Sequence, residues 1–315
     1  MRTASPLRYP GGKSAMAGLL SCIRSINRLG DRAIAEPFAG GAGASLSLLY
    51  REDTPEIHIN DANRAIHDFW WAIMNRTEPF LEMLRSKRVS MAEWRRQREV
   101  YRSTRNISRL RRGFAAFYLN RCNRSGIIMN GGPIGGIEQA GNWKLDARFN
   151  KPALEARCKR VAEYGQRIRV SRMDACDFIW NLDKAKSFIF IDPPYYAKGK
   201  TLYRNTLDHA YHQKLADELR WIEDAAWVLT YDDCPEIRGM YADWASIHTF
   251  SLRYVASKRR RGREILVTPR WMQLPYDQLD KLMEANRRML RSRGLAESAA
   301  SLTWCGVDSA TRATT

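Results

Sequence analysis

The strongest chemical signal in this chain is Asp192-Pro193-Pro194-Tyr195. It follows an unbroken apolar run, Phe188-Ile189-Phe190-Ile191, of the kind that forms a central parallel strand covered on both faces. Two prolines can neither continue that strand nor freely start a helix, so the chain must leave the sheet as a stiff turn. Asp192 and Tyr195 therefore belong at the carboxyl edge of a sheet, where open α/β folds bind their ligands. The Asp192 carboxylate and the Pro193 carbonyl are two acceptors beside one flat aromatic ring. That combination suits an exocyclic amine on a planar base.

Other residues have the types and spacing of a cofactor site. Arg8-Tyr9-Pro10-Gly11-Gly12-Lys13 puts a glycine pair and a lysine ahead of a helical stretch at 14–29, like a phosphate cradle but without P-loop spacing. Glu36-Pro37-Phe38-Ala39-Gly40-Gly41-Ala42-Gly43 forms a turn between a strand at 33–38 and a helix at 44–50. Glycines there let the backbone approach a bound molecule closely. The next strand, 56–60, ends in Asp61, about twenty residues after the glycines and placed to accept bonds from ribose hydroxyls. These residues read as a nucleoside-cofactor half-site; a dinucleotide site would call for GxGxxG, which is missing. The six cysteines (22, 122, 158, 176, 234 and 305) form no CxxC pair, which predicts reduced structural thiols and no metal site.

The elements that must position these residues are those of an α/β protein. Strands are expected at 33–38, 56–60, 167–171, 188–191, 227–231, 246–254 and 264–268, the last two forming an antiparallel pair. Helices are expected from Asp174 to about 181, at 209–223 and at 235–242. Between 62 and 166 the strand pattern lapses, and apolar residues recur at helical spacing over 66–74, 91–101 and 112–120. A glycine-rich polar stretch follows, with Arg121, Asn123, Arg124, Asn130, Gln139 and Asn142. These are types that read base edges. Trp143 and Phe149 are expected to anchor it. Residues 196–206 read as a polar loop, and 273–315 as a basic helical tail with a disordered end.

Charge points the same way. With 52 Lys+Arg against 34 Asp+Glu the formal charge is +18, as expected for a nucleic-acid partner. Residues 85–124 carry thirteen Lys/Arg and two acids, and Lys258-Arg259-Arg260-Arg261-Gly262-Arg263 has no acid until Glu264. No apolar run is long enough to span a membrane, and the first ten residues lack a signal-peptide core, so a cytoplasmic protein is expected.

Taken together, the chain resembles the Dam-like, D12-class adenine-N6 DNA methyltransferases. The likeness rests on residues 8–13, 36–41 and 192–195 in that order and covers roughly residues 5–270. It implies a seven-stranded Rossmann-like methyltransferase fold, with a catalytic domain at 1–64 and 165–272 and an inserted, mainly helical target-recognition domain at 65–164. It implies S-adenosylmethionine as cofactor, held by Tyr9, Lys13, Glu36, Phe38, Gly40, Gly41, Asp61, Asp174 and Asp192. Asp192 and the Pro193 carbonyl, followed by Pro194, would hold the target amine, while Tyr195 stacks on the flipped base. Duplex DNA would meet Arg121, Asn123, Arg124, Asn130, Lys258, Arg259, Arg260 and Arg261. The family's second turn glycine is Ala42 here. The resemblance further implies a monomer of bacterial or phage origin at the nucleoid, with room for a restriction or defence-system partner. Cytosine-N4 methylation and a catalytically silent DNA-binding subunit stay open as alternatives.

Overall fold

The apolar run before the double proline forms strand β4 (Ser187–Ile191), and all of it is buried. Its side chains alternate as a strand's must: Phe188 and Phe190 enter one core, Ile189 and Ile191 the other. The computed structural model describes residues 4–9, 13–196, 207–252 and 262–275. Around β4 lie β1 (Ala33–Glu36), β2 (Ile57–Asn60), β3 (Ile168–Ser171), β5 (Ala226–Asp232), β6 (Ala245–Leu252) and β7 (Gly262–Pro269). They form one seven-stranded sheet in the order β3-β2-β1-β4-β5-β7-β6. Strands β1 to β5 pair in parallel, and β7 runs antiparallel to both β5 and β6. This is the Rossmann-like methyltransferase arrangement that the resemblance implies. The strand order reverses between β1 and β4, the crevice where such sheets bind ligands. The last strand, β7, sits inside the sheet rather than at its edge, which brings Glu264 opposite Asp232 on β5.

Helices cover both faces. One core takes α1 (Ala17–Ile26), α2 (Gly43–Leu49), α3 (Arg64–Asn75), α4 (Thr77–Ser86), α5 (Met91–Arg102), α6 (Arg109–Cys122) and α7 (Lys151–Glu163). The other takes α8 (Ala175–Trp180), α9 (His209–Trp221) and α10 (Pro235–Tyr241). Asn63, Ser90, Ser108, Asn150, Asp174 and Asp208 each cap a helix by accepting a backbone N–H from its first turn.

The stretch expected as an inserted domain is helical, yet Phe69, Phe80, Phe114, Phe117 and Phe149 belong to the same core as Phe188 and Val228 of the sheet. Helix α6 is buried on all sides from Arg112 onward, as a central helix should be. It crosses α3 at Gly113, where a Cβ would lie 2.5 Å from the Asp68 carbonyl oxygen. Arg112 closes the same contact with a 2.6 Å ion pair to Asp68. Among the described residues no helix is long and apolar enough to cross a membrane.

Candidate active site

The turn after β1 is built from its backbone outward. Gly40 has φ of +47°, a left-handed conformation that glycine adopts freely. A Cβ there would lie 2.8 Å from the Tyr9 ring, so Tyr9 rests directly on the glycine turn. The Gly40 N–H donates to Asp61 Oδ2 at 2.9 Å, and its carbonyl accepts Trp70 Nε1–H from α3 at 3.0 Å. Asp61 also accepts the Asn63 N–H at 2.8 Å. Burial pushes its carboxyl up to about 6, against these hydrogen bonds. Glu36 is buried and accepts both the N–H and the hydroxyl of Ser45, at 3.0 and 2.5 Å. Burial pushes it up to about 7, with Asp192 adding to the rise and Ser45 opposing it. Ala42 is also left-handed, at φ +45°, but its methyl is buried in the core below the turn and so does not crowd the crevice.

Buried Asn60 ties this turn to the next one. Its amide donates to the Pro37 and Met173 carbonyls, both at 3.0 Å, and its oxygen accepts from Met173 N–H and Ser171 Oγ, both at 2.8 Å. Asp174 follows Met173, caps α8, accepts the Tyr211 hydroxyl at 2.6 Å and lies 3.8 Å from Lys214. Residues Tyr9, Glu36, Gly40, Gly41, Asp61 and Asp174 thus gather at the carboxyl ends of β1 to β3. Phe38 packs, partly buried, against the second core.

The Asp192 turn meets a charge cluster. Lys13, almost wholly buried, lies 3.1 Å from Asp192 Oδ1 and 3.4 Å from Glu264 Oε2, and donates to the Tyr195 hydroxyl. That hydroxyl donates to Glu264 Oε1 at 2.7 Å. Thr230 on β5 donates its hydroxyl to Asp192 Oδ1 at 2.7 Å. Burial alone would lower the Lys13 pKa, but Asp192 and Glu264 outweigh it and hold the ammonium above the ordinary lysine value. Burial, then Asp192 and Glu264, push the Tyr195 phenol far above the tyrosine range, so it stays protonated and can donate. Burial also raises Glu264, against the pull of Lys13. Pro193 is buried, and Pro194 is partly exposed.

Sequence reasoning missed Glu264, Thr230, Asn60 and Trp70 as parts of the site. A charged residue opening the apolar run Ile265-Leu266-Val267 was the available signal for Glu264. Thr230, inside a fully buried strand, gave none.

The residues expected to meet DNA divide. Arg124 and Asn130 are exposed. Arg121 and Asn123 are interior, contrary to expectation. Arg121 donates Nε–H to the Arg148 carbonyl, and burial, with Arg157 and Arg8 nearby, lowers its pKa to about 9. Asn123 is fully buried, accepting Trp94 Nε1–H at 2.7 Å and donating to the Ile127 and Ile128 carbonyls. The reason is that α6 is buried on all sides, so Arg121 in its last turn is interior, and Asn123, just past the helix end, is held inward by its bonds to Trp94, Ile127 and Ile128. The Trp143 side chain is 69% exposed rather than an anchor, whereas Phe149 is buried. Pro10, Gly11, Gly12, Lys258, Arg259, Arg260, Arg261, most of the 196–206 loop and the tail beyond 275 lie outside the described residues. Among the described residues no group of three or more His, Cys, Asp or Glu is placed to hold a metal ion.

Asn120, in the last turns of α6, has a definite structural task. Fully buried, it accepts the Arg8 N–H at 2.7 Å and donates to the Arg8 and Gly126 carbonyls at 2.6 and 2.9 Å. A Cβ at Gly126 would lie 2.4 Å from the Arg8 carbonyl oxygen. The segment carrying Tyr9 is therefore clamped to the end of α6.

No curated protein sequence matches the chain. Among solved structures, a conserved hypothetical protein from Streptococcus pyogenes aligns over 78% of this chain and 94% of its own, at 11% identity and a TM-score of 0.31. That likeness is too loose to bear on fold or function. The family model for the D12 class N6 adenine-specific DNA methyltransferases matches residues 9–256, spanning the glycine turn, the helical segment and the Asp192 turn. The chain belongs to the D12 class of N6 adenine-specific DNA methyltransferases.

Proposed function

We propose that the enzyme takes its methyl group from S-adenosylmethionine and delivers it to an adenine swung out of duplex DNA at one specific sequence. The observation that carries this reading is the convergence of Asp192, Tyr195 and Lys13 at the end of β4, beside the glycine turn of β1. The donor set fits a nucleoside cofactor. Asp61 keeps part of its surface in water, and each of its oxygens, already holding one backbone N–H, retains a lone pair for a ribose hydroxyl. When bound, S-adenosylmethionine supplies a methyl group on a positively charged sulfur.

The chain's own residues prepare the nucleophile. The lone pair of an adenine N6 is delocalised into the ring, so the amine attacks poorly. Thr230 and Lys13 both bond Asp192 through Oδ1, which fixes the carboxylate and leaves Oδ2 to accept one amine hydrogen. The Pro193 carbonyl accepts the other. Two such bonds draw the nitrogen toward tetrahedral geometry and localise its lone pair, and in-line placement lowers the barrier further. Asp192 then holds the proton that the methylated nitrogen releases. Swinging the base out of the duplex costs about a few kcal/mol, which stacking on the Tyr195 ring partly offsets. Residues 65–164, with Arg124 and Asn130 exposed, form the target-reading segment.

The test is transfer from labelled S-adenosylmethionine to unmethylated plasmid DNA, followed by mass spectrometry of the digested nucleosides. N6-methyladenine is expected, and Asp192→Ala should abolish it while DNA binding persists. Label on cytosine, or full activity in the variant, would refute the assignment.

A further inference from the structure

A carboxylate with no solvent exposure costs stability unless function or pairing retains it. Glu264 is such a group, 0% exposed, at a position where Ile265, Leu266 and Val267 continue an apolar strand. A fold served by β7 alone would do better with another aliphatic residue. Its two oxygens reach two different members of the active site: Oε1 accepts the Tyr195 hydroxyl at 2.7 Å, and Oε2 lies 3.4 Å from the Lys13 ammonium. Lys13 in turn lies 3.1 Å from Asp192.

We infer that Glu264 is the positioning residue of this active site, seating the Tyr195 ring directly and the Asp192 carboxylate through Lys13. The inference rests on the catalytic roles proposed above for Asp192 and Tyr195. A base can stack on Tyr195 only if the ring is held in one place beside Asp192. A bond at the far end of the ring, from the hydroxyl to a residue held in the sheet, fixes the direction in which the ring points. Lys13 has a long flexible stem, and its ammonium stays at Asp192 Oδ1 without displacing the Thr230 hydroxyl only if a second carboxylate shares its charge. Glu264 meets both needs because a carboxylate offers an acceptor on each oxygen. An amide of the same shape offers only one.

Glu264→Gln is the decisive change, since it preserves volume while removing the charge that Lys13 pairs with and one of the two acceptor oxygens. With plasmid DNA as substrate, kcat should fall by roughly 10²-fold, the cost of a small misplacement at a reacting centre, and KM for DNA should move far less. Tyr195→Phe removes the hydroxyl and keeps the ring, so it should reproduce part of that fall. The double variant should be no slower than Glu264→Gln alone, because both changes break the same contact. The same cycle on urea unfolding midpoints, with neither cofactor nor DNA present, should also be non-additive. Independent, multiplying effects on kcat, or a Glu264→Gln enzyme within about twofold of the parent, would overturn the inference. If that variant fails to fold, Tyr195→Phe decides: a kcat within about twofold of the parent overturns the seating role. Asp192→Ala in the same series separates the two levels. Retained transfer there would sink the site assignment itself, whereas lost transfer with an additive cycle would sink only Glu264.

Discussion

Replacing Asn120 with alanine should damage both stability and cofactor binding, although Asn120 lies in the helical segment and not on the sheet. The side chain makes three bonds, two to the backbone of Arg8 and one to the Gly126 carbonyl. Each is worth about 1 kcal/mol net, so their loss comes to about 3 kcal/mol. The carbonyls left behind raise that figure where water cannot reach them, and the half-buried backbone of Arg8 lowers it where water can. Asn120→Asp is the sharper variant. It keeps the acceptor for the Arg8 N–H but loses both donors and sets a negative charge against two carbonyl oxygens. It should therefore be no more stable than Asn120→Ala, despite its closer shape. The residue after Arg8 is Tyr9, whose ring lies on Gly40, so loosening the clamp should also weaken S-adenosylmethionine binding. Urea unfolding and isothermal titration measure the two effects. An Asn120→Ala protein within about 0.5 kcal/mol of the parent, the range of a surface substitution, would refute the clamp. Asn120→Asp markedly more stable than Asn120→Ala would show that volume, not hydrogen bonding, governs the position.

Two further outcomes follow from the same geometry. Burial raises Glu36 to about 7, so the folded state binds its proton more tightly than the unfolded chain does. Its contribution is therefore fully favourable below the unfolded carboxyl pKa and is lost as pH rises through about 7, and Glu36→Gln should flatten the stability profile over that window. Equal slopes for the two proteins would show that Glu36 titrates normally. Arg124→Ala should weaken DNA binding or relax site choice, with affinity for DNA falling steeply with salt in the parent. Unchanged affinity and site choice, or a flat salt response, would remove Arg124 and the basic surface from the DNA interface.

Much of this protein is legible in its sequence because local rules act locally. The buried run before Asp192 has one reading as a strand, and two prolines end it whatever the surroundings. The glycine turn and the acid at the end of β2 follow from backbone freedom and strand length, and Asp174 is recognisable as a cap from its place before a helix. The basic bias needs only counting. Arg121 and Asn123 show where such reading stops. Residue type marked them as base readers, but Arg121 lies in α6, a helix buried on all sides, and Asn123 follows it into the same interior. Trp143 failed in the opposite direction, an aromatic ring expected to be inside and found exposed.

What the sequence determined alone was the set of local parts: a turn that ends β4 in Asp192 and two prolines, a glycine-rich turn with an acid after the next strand, and a cationic chain. What only the tertiary structure decided was which residues share a site. Lys13, Asp192, Thr230 and Glu264 are far apart along the chain, and they meet because β7 inserts beside β5 and the Lys13 segment passes over the ends of the parallel strands. No local pattern encodes that meeting. It follows from strand order, and strand order is set by how the apolar faces of all seven strands and ten described helices are buried together.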